Sequence, residues 1–193
     1  MTSAKPTIQH ATLDDYAAIA NLQFLSHTVS FAPFASEQWL NSRQLDDYMS
    51  SWRKTLGAAD SSETTLIARI SGEVVGMVRV ARSNVPVSES DSTGAELTGM
   101  HVSPDLTGRG IGKLLMQRSL DYIREQNFSR VVLGVIAANT GARRFYELHG
   151  WVLVEEPPDG VEGVPVAIYE LARRVFVPSS GTRYAGLRGR RLV

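Results

Sequence analysis

Read by the spacing of its apolar positions, the chain alternates short strands with amphipathic helices. Thr7-Ile8-Gln9-His10-Ala11 reads as a first strand. Thr12, followed three residues on by Asp15, is a capping signal for a helix through Tyr16-Ala17-Ala18-Ile19-Ala20-Asn21-Leu22-Gln23-Phe24. Phe31-Ala32-Pro33-Phe34-Ala35 is broken by proline. From Ser36 the residues Trp39, Leu40, Leu45, Tyr48, Met49, Trp52 and Leu56 fall near helical spacing, which predicts one second helix ending at Gly57. This aromatic-rich helix is either plain core or one wall of a pocket.

Thr64 to Ile70 is a β-branched strand, Ser71-Gly72-Glu73 a tight turn, and Val74 to Val80 the antiparallel return. Residues 83 to 94 form a polar loop of about twelve residues, long enough to be mobile or functional. Ala95 to Val102 is a strand. After a glycine-rich turn comes a helix with Ile111, Leu114, Leu115, Leu120, Tyr122 and Ile123 on one broad face and Gln117, Arg118, Asp121, Arg124 and Glu125 on the other. Arg130 to Ile136 is a continuous apolar run, as expected of a strand buried on both faces and parallel to the strand before that helix. Asn139 to His149 reads as a short helix closed by Gly150, Trp151 to Glu155 as a strand, and Val164 to Leu171 as its partner beyond the Pro157-Pro158-Asp159-Gly160 turn. The pattern is α/β, a mixed sheet of about seven strands with about four helices.

Composition narrows this picture. The 193 residues suit one domain, expected over residues 1–177, with a basic tail over 178–193. The chain has no cysteine, so disulfides, thiolate metal sites and a cysteine nucleophile are excluded, and no metal is expected. Met1 to Pro6 lacks the apolar core of a signal peptide, and no apolar run approaches the roughly 18 residues of a membrane span, so a soluble cytoplasmic protein is expected. The formal charge of zero conceals an asymmetry: six arginines (173, 174, 183, 188, 190 and 191) follow Glu170 with no acid, which leaves residues 1–170 with a net charge of −6. An acidic body favours a cationic small molecule over nucleic acid and gives no reason to expect a membrane partner, while a homodimer stays open.

The chemistry centres on His101-Val102-Ser103-Pro104-Asp105-Leu106-Thr107-Gly108-Arg109-Gly110-Ile111-Gly112-Lys113. Three glycines between a strand and a helix allow a tight turn and expose backbone N–H groups, to which the helix dipole adds. An anionic phosphate is the natural guest, and a phosphorylated cofactor the first hypothesis. A nucleotide P-loop needs Gly-Lys-Ser/Thr, but Gly112-Lys113 runs into Leu114. A dinucleotide fingerprint needs Gly-x-Gly-x-x-Gly, and here the third glycine comes one residue early.

The stretch from Val102 through Gly110 and Gly112 resembles the acyl-coenzyme A loop of the GNAT N-acetyltransferases, Val-x-x-x-x-(Arg/Gln)-x-x-Gly-x-(Gly/Ala), with Thr107 where the family usually has Arg or Gln. Asn139-Thr140-Gly141-Ala142-Arg143-Arg144-Phe145-Tyr146-Glu147-Leu148-His149-Gly150-Trp151 resembles the family's Asn-x-x-Ala-x-x-Phe-Tyr-x-x-x-Gly-(Phe/Trp) at every specified position. From the residues themselves, Asn139 caps a helix, Ala142 permits close approach, Phe145 and Leu148 reach the core, and Gly150 ends the helix in a left-handed turn.

The resemblance implies a GNAT fold whose two central parallel strands splay apart to admit the pantetheine arm of acetyl-CoA. Backbone groups of Met100, His101 and Val102 would pair with the pantetheine amides. Thr107, Gly108, Arg109, Gly110, Ile111, Gly112 and Lys113 would hold the pyrophosphate, and Asn139, Ala142, Arg143 and Tyr146 the pantetheine end. Tyr146 would be the general acid, and backbone amides near Met100 the oxyanion donors. Glu96, six residues before Val102, stands where some members, notably histone acetyltransferases, carry a catalytic glutamate. Strand alternation places Glu96, Thr98, Met100 and Val102 on one face, with His101 opposite. His101 or a water chain are the alternative bases. The implied reaction is direct transfer of acetyl from acetyl-CoA to a primary amine of a small molecule. Its rivals are a protein N-terminal or lysine acetyltransferase, and an acyl-CoA sensor or toxin-like module acting on an RNA-linked amine.

Overall fold

In the computed structural model, residues 5–58, 63–83, 94–157 and 164–172 are described. Seven strands hydrogen-bond in the order β1-β2-β3-β4-β5-β7-β6, and the sheet is mixed. By backbone contacts the chain divides into two compact units, residues 1–80 with 99–122 and residues 81–98 with 123–193. The loop expected over 83–94 falls largely outside the described residues, as do most of the Pro157–Gly160 turn and the whole basic tail.

In the first unit, β1 (Thr7–His10) pairs antiparallel with β2 (Thr64–Ile70), which turns through Ser71 and Gly72 into β3 (Glu73–Arg82). Both turn residues have positive φ, 51° and 89°, as a two-residue hairpin loop of this hand requires. The capping box is present: Thr12 N donates to Asp15 Oδ2 at 2.8 Å. It leads into α1 (Tyr16–Ser30), six residues longer than the pattern through Phe24 predicts. The single helix expected from Ser36 to Gly57 is two, α2 (Glu37–Ser42) and α3 (Leu45–Gly57). Arg43 and Gln44 between them are extended, with ψ of 135° and 134°. The Arg43 guanidinium lies over the rings of Phe24 (5.0 Å) and Trp39 (4.9 Å) and Nε donates to Leu40 O, so the break is where a cation is fixed against two aromatics. The unit's core joins Ile19, Ala20 and Leu22 of α1 to Tyr48 and Trp52 of α3 and Ile67 and Met77 of the sheet.

Gly76 of β3 sets the seat of the next helix, α4 (Ile111–Glu125). A Cβ there would come within 2.9 Å of Leu115 Cδ1 and 3.0 Å of Ile111 Cγ2, so glycine is what lets the first turn of α4 press onto the strand. Ile111, Leu115, Met116 and Ser119 are buried, whereas Leu114, expected on the same face, is 38% exposed. The buried stripe runs through Ile111, Leu115, Met116, Ser119, Tyr122 and Ile123, and Leu114 lies to one side of it.

β4 (Gly94–Val102) lies in the second unit up to Thr98, and there it pairs parallel with β5 (Arg130–Ile136) through Gly94↔Arg130, Ala95↔Val131 and Glu96↔Val132. Beyond Val132, β5 continues to Ile136 in antiparallel register with β7 (Val166–Leu171), and β7 also pairs with β6 (Trp151–Glu155). The last strand therefore inserts between β5 and β6. β5 therefore has a strand on each flank, and Val131, Val132, Leu133, Val135 and Ile136 along it are all buried. Between β5 and β6 lies α5 (Thr140–Glu147).

Candidate active site

In the first unit the chain leaves β4 through Met100, His101 and Val102, and Ser103 N donates to Val75 O at 2.8 Å, which fixes the loop's start to β3. One short 3-10 turn follows over Pro104–Leu106, and the Thr107 hydroxyl donates to Pro104 O at 3.0 Å. The side chain standing in place of the family's Arg or Gln is thus engaged within its own loop. Gly108 (φ +74°) and Gly110 (φ +83°) occupy the left-handed region, and a Cβ at either would meet no atom within 4 Å. Glycine is needed for the shape, and the space beside the loop is open to a ligand.

Gly110 O accepts Leu114 N at 3.1 Å and closes the first turn of α4. The N–H groups of Ile111, Gly112 and Lys113 consequently head the helix with no acceptor inside it. The side chain of Ile111, 2% exposed, is used in packing at Gly76, so this residue can offer a ligand only its backbone. Arg109 and Lys113 are exposed cations flanking these amides. Left-handed glycines, open space and a helix start together form a site that fits a pyrophosphate.

His101 turns into the helices instead. It is 3% exposed, its Nδ1 is 2.9 Å from Ser26 Oγ, and its ring lies 4.9 Å from that of His27 and 6.1 Å from Phe31. Its Nε2 is buried with no hydrogen-bond partner. Burial lowers its pKa from 6.5 to about 4, so the ring is neutral at pH 7. His27, with Nδ1 2.8 Å from the Tyr48 hydroxyl, stacks on Phe31 at 4.5 Å. Ser26 and His27 did not emerge as site candidates from the sequence, because 75 residues separate Ser26 from His101 and no local spacing joins them.

In the second unit Glu96 is 7% exposed and sits opposite Val132 in the β4–β5 register. Gly99, with φ +61°, lies in the left-handed region where the strand passes from one unit to the other, and burial alternates along Leu97 to Val102. Within the first unit Gly99 also lies close to β3, where a Cβ would be 3.1 Å from Met77 Cε.

Asn139 caps α5 as expected, its Oδ1 accepting from Ala142 N at 3.0 Å, which leaves the side-chain amide NH₂ for a ligand. Tyr146 is the buried residue of this helix at 4% exposure, its ring 5.6 Å from Phe145 and 6.4 Å from Trp151. Burial raises its pKa above the ordinary phenol value, so the hydroxyl keeps its proton across the physiological range. Arg143, expected to hold cofactor, is held inside the protein: Nε donates to the Tyr169 hydroxyl at 2.9 Å, Nη1 to Ala137 O at 3.0 Å, and Nη2 pairs with Glu156 Oε1 at 2.7 Å. Leu148, expected in the core, is 74% exposed, because the helix ends at Glu147 and the chain turns at once toward Gly150, φ +87°.

A family model described as the acetyltransferase (GNAT) family matches residues 23–151, well over half the chain. The chain belongs to this family. GNAT enzymes are acetyltransferases whose acyl donor is acetyl-CoA, and both motifs lie within the matched span. An uncharacterised N-acetyltransferase of Archaeoglobus fulgidus is 37% identical over 81 residues, 42% of this chain and 54% of its own. The N-acetylaspartate synthetase of Rattus norvegicus is 35% identical over 118 residues, 61% of this chain and 37% of its own. The chain thus spans between about a third and a half of the length of these relatives. Among solved structures, the PaiA N-acetyltransferase of Thermoplasma acidophilum in complex with coenzyme A aligns with TM-score 0.69 at 17% identity, over 85% of this chain and 98% of that one. YncA, a putative acetyltransferase of Salmonella typhimurium with acetyl-CoA, aligns with TM-score 0.67 at 19% identity, over 92% and 100%. The fold is that of the GNAT proteins. Among the described residues no helix is long and apolar enough to cross a membrane.

Proposed function

We propose that this GNAT member transfers the acetyl group of acetyl-CoA to a primary amine of a small molecule, by direct attack in a ternary complex. The observation that carries the reading is the pair of left-handed glycines, Gly108 and Gly110, with open space where a side chain would stand and the unpartnered amides of Ile111, Gly112 and Lys113 beyond them. When bound, acetyl-CoA supplies an activated thioester, whose acyl carbon an amine can attack without further activation. The chain's own groups do the rest. The loop amides take the pyrophosphate, with Arg109 and Lys113 adding charge. In the first unit, backbone groups of Met100, His101 and Val102 are the strand edge for the pantetheine amides, and amides near Met100 are the oxyanion donors; in the second, the side-chain amide of Asn139 is the pantetheine donor.

Tyr146 Oη holds a proton at neutral pH and donates it to the departing sulfur. For the base, Glu96 is favoured over His101. The His101 ring is packed among Ser26, His27 and Phe31 with Nδ1 against Ser26 Oγ, so it is committed to the helices, and Glu96 is the side chain this reading assigns to the ammonium proton. Three of the five N–H donors of Arg143 are taken by Tyr169, Ala137 and Glu156, and this reading asks no cofactor contact of those three.

The similarity to N-acetylaspartate synthetases favours an α-amine of an amino acid among small-molecule acceptors. The rival readings, a protein N-terminal or lysine acetyltransferase and an acyl-CoA sensor, separate cleanly in one assay. Acetyl-CoA turnover is followed by release of thiol over amino acids, polyamines, aminoglycosides and peptides. Turnover with an amino acid supports the proposal, turnover with peptides alone supports the protein reading, and acetyl-CoA binding without turnover on any amine supports the sensor.

A further inference from the structure

We propose that Tyr169 is a positioning residue for Tyr146: its hydroxyl, inserted between Arg143 and Glu147 on successive turns of α5, fixes the helix's rotation and so aims the Tyr146 phenol. The inference rests on the acid role of Tyr146 proposed above. Tyr169 is fully buried in β7, in register with Leu133 of β5 on one side and Leu153 of β6 on the other. Its ring therefore cannot move without disturbing three strands. Its hydroxyl accepts from Arg143 Nε at 2.9 Å and donates to Glu147 Oε1 at 2.8 Å. Arg143 and Glu147 stand four residues apart, the spacing at which opposite charges meet directly on a helix. Here a phenol anchored in the sheet stands between them.

The remaining arms of Arg143 complete the fixture. Nη1 donates to Ala137 O in the segment after β5, and Nη2 pairs with Glu156 just past β6. A guanidinium is planar, so three simultaneous partners hold it in one orientation. The helix needs such tethers. At eight residues α5 is too short to be stable by itself, and Tyr146 is its one buried side chain among the described residues. Rotation by about 10° about the axis moves a side chain at the helix surface by about 1 Å, and a misplacement of that size can cost roughly 10²-fold in rate. Tyr146 lies between the two tethered residues in sequence, so whatever fixes them fixes it. Nothing in this network touches the phenol of Tyr146 itself, and its effect on chemistry is exerted through the helix.

A double-mutant cycle tests this. Tyr169→Phe keeps the buried ring and removes the bridge; kcat is expected to fall about 10-fold with the KM for acetyl-CoA within about twofold of wild type. In a Tyr146→Phe background the same substitution should cost nothing further, because the group it aims is gone. Arg143→Lys, which keeps a charge near Glu156 but loses the planar fork, should behave as Tyr169→Phe does. Equal losses in both backgrounds would make Tyr169 a structural residue and overturn the proposal, as would unchanged kcat in Tyr169→Phe. Should Tyr146→Phe itself retain turnover, the acid reading fails on that measurement, and any loss in Tyr169→Phe then has another cause. Thermal unfolding of each variant identifies a loss caused by misfolding.

Discussion

The two motifs of this chain are made of opposite materials. From Ser103 to Lys113 the working groups are backbone: two glycines at positive φ, amides heading α4, and side chains that either point to solvent or, like Thr107 and Ile111, are engaged by the protein itself. From Asn139 to Trp151 the working groups are side chains, and each is held by another: Asn139 by Ala142, Arg143 by Tyr169 and Glu156, Tyr146 by Phe145 and Trp151. A backbone site is indifferent to most substitutions but intolerant at its glycines. A side-chain site should fail one atom at a time.

The sharpest break is a single oxygen. Tyr146→Phe is expected to lower kcat about 10²-fold while leaving the KM for acetyl-CoA nearly unchanged, since the proton is needed only as the sulfur leaves. Retained turnover in steady-state assays would assign the proton to water. On the loop side, Gly110→Val should weaken acetyl-CoA binding by about 2 kcal/mol, roughly 30-fold, by calorimetry. Valine there both fills the open space and is forced to φ +83°, which a β-branched residue resists. Thr107→Ala, by contrast, should change affinity less than about threefold, because its hydroxyl serves Pro104. If Thr107→Ala matched Gly110→Val, the loop would be a side-chain site after all.

Glu96 sits between these extremes, a side chain on a strand. If it takes the ammonium proton, Glu96→Gln should lower turnover about 10-fold at pH 7 and recover part of it as pH rises toward the amine's own pKa near 10, where solvent supplies the free base. Acetyl-CoA affinity should stay unchanged. Parallel pH–rate curves for mutant and wild type would leave Glu96 a strand residue and the base a water chain.

Much of this was legible in advance because it is local. The capping box at Thr12, the Ser71-Gly72 turn, the Asn139 cap and the Gly150 terminator each depend on residues within a few positions of one another, and all are present. What was not legible is tertiary. The division of the 36–57 helix depends on Arg43 finding Phe24 and Trp39, and the hold on the Arg143 guanidinium depends on a tyrosine 26 residues away. Hydrophobicity alone puts Leu114 and Leu148 inside, yet Leu114 lies off the buried stripe of its helix and Leu148 just past the end of its own, and both are exposed. Residue type predicts burial only where geometry leaves room for it.

The exception on the backbone side is His101, the one residue of its strand end whose side chain is buried, and it offers the mildest test of the comparison. In the unfolded chain it titrates near the ordinary histidine value of 6.5, and in the fold near 4, because burial disfavours the charged ring. Between those values the unfolded chain binds a proton that the folded chain refuses. The unfolding free energy therefore rises with pH across this window: the contribution is complete above about 6.5 and is lost as pH falls toward 4. The slope contributed is at most about 1.4 kcal/mol per pH unit. The groups packed on the ring, Ser26, His27 and Phe31, offer no carboxylate to offset a charge. His101→Asn retains a polar partner for Ser26 and removes the titration, so urea unfolding across about pH 4 to 7 should give a flatter profile in the variant, with the largest difference between the two slopes near the middle of the window. Paired carboxylates such as Asp15 with Arg69 are common to both proteins and cancel in that difference. Identical slopes would mean that the ring accepts a proton without leaving its place, and the buried imidazole would then be available as a base after all.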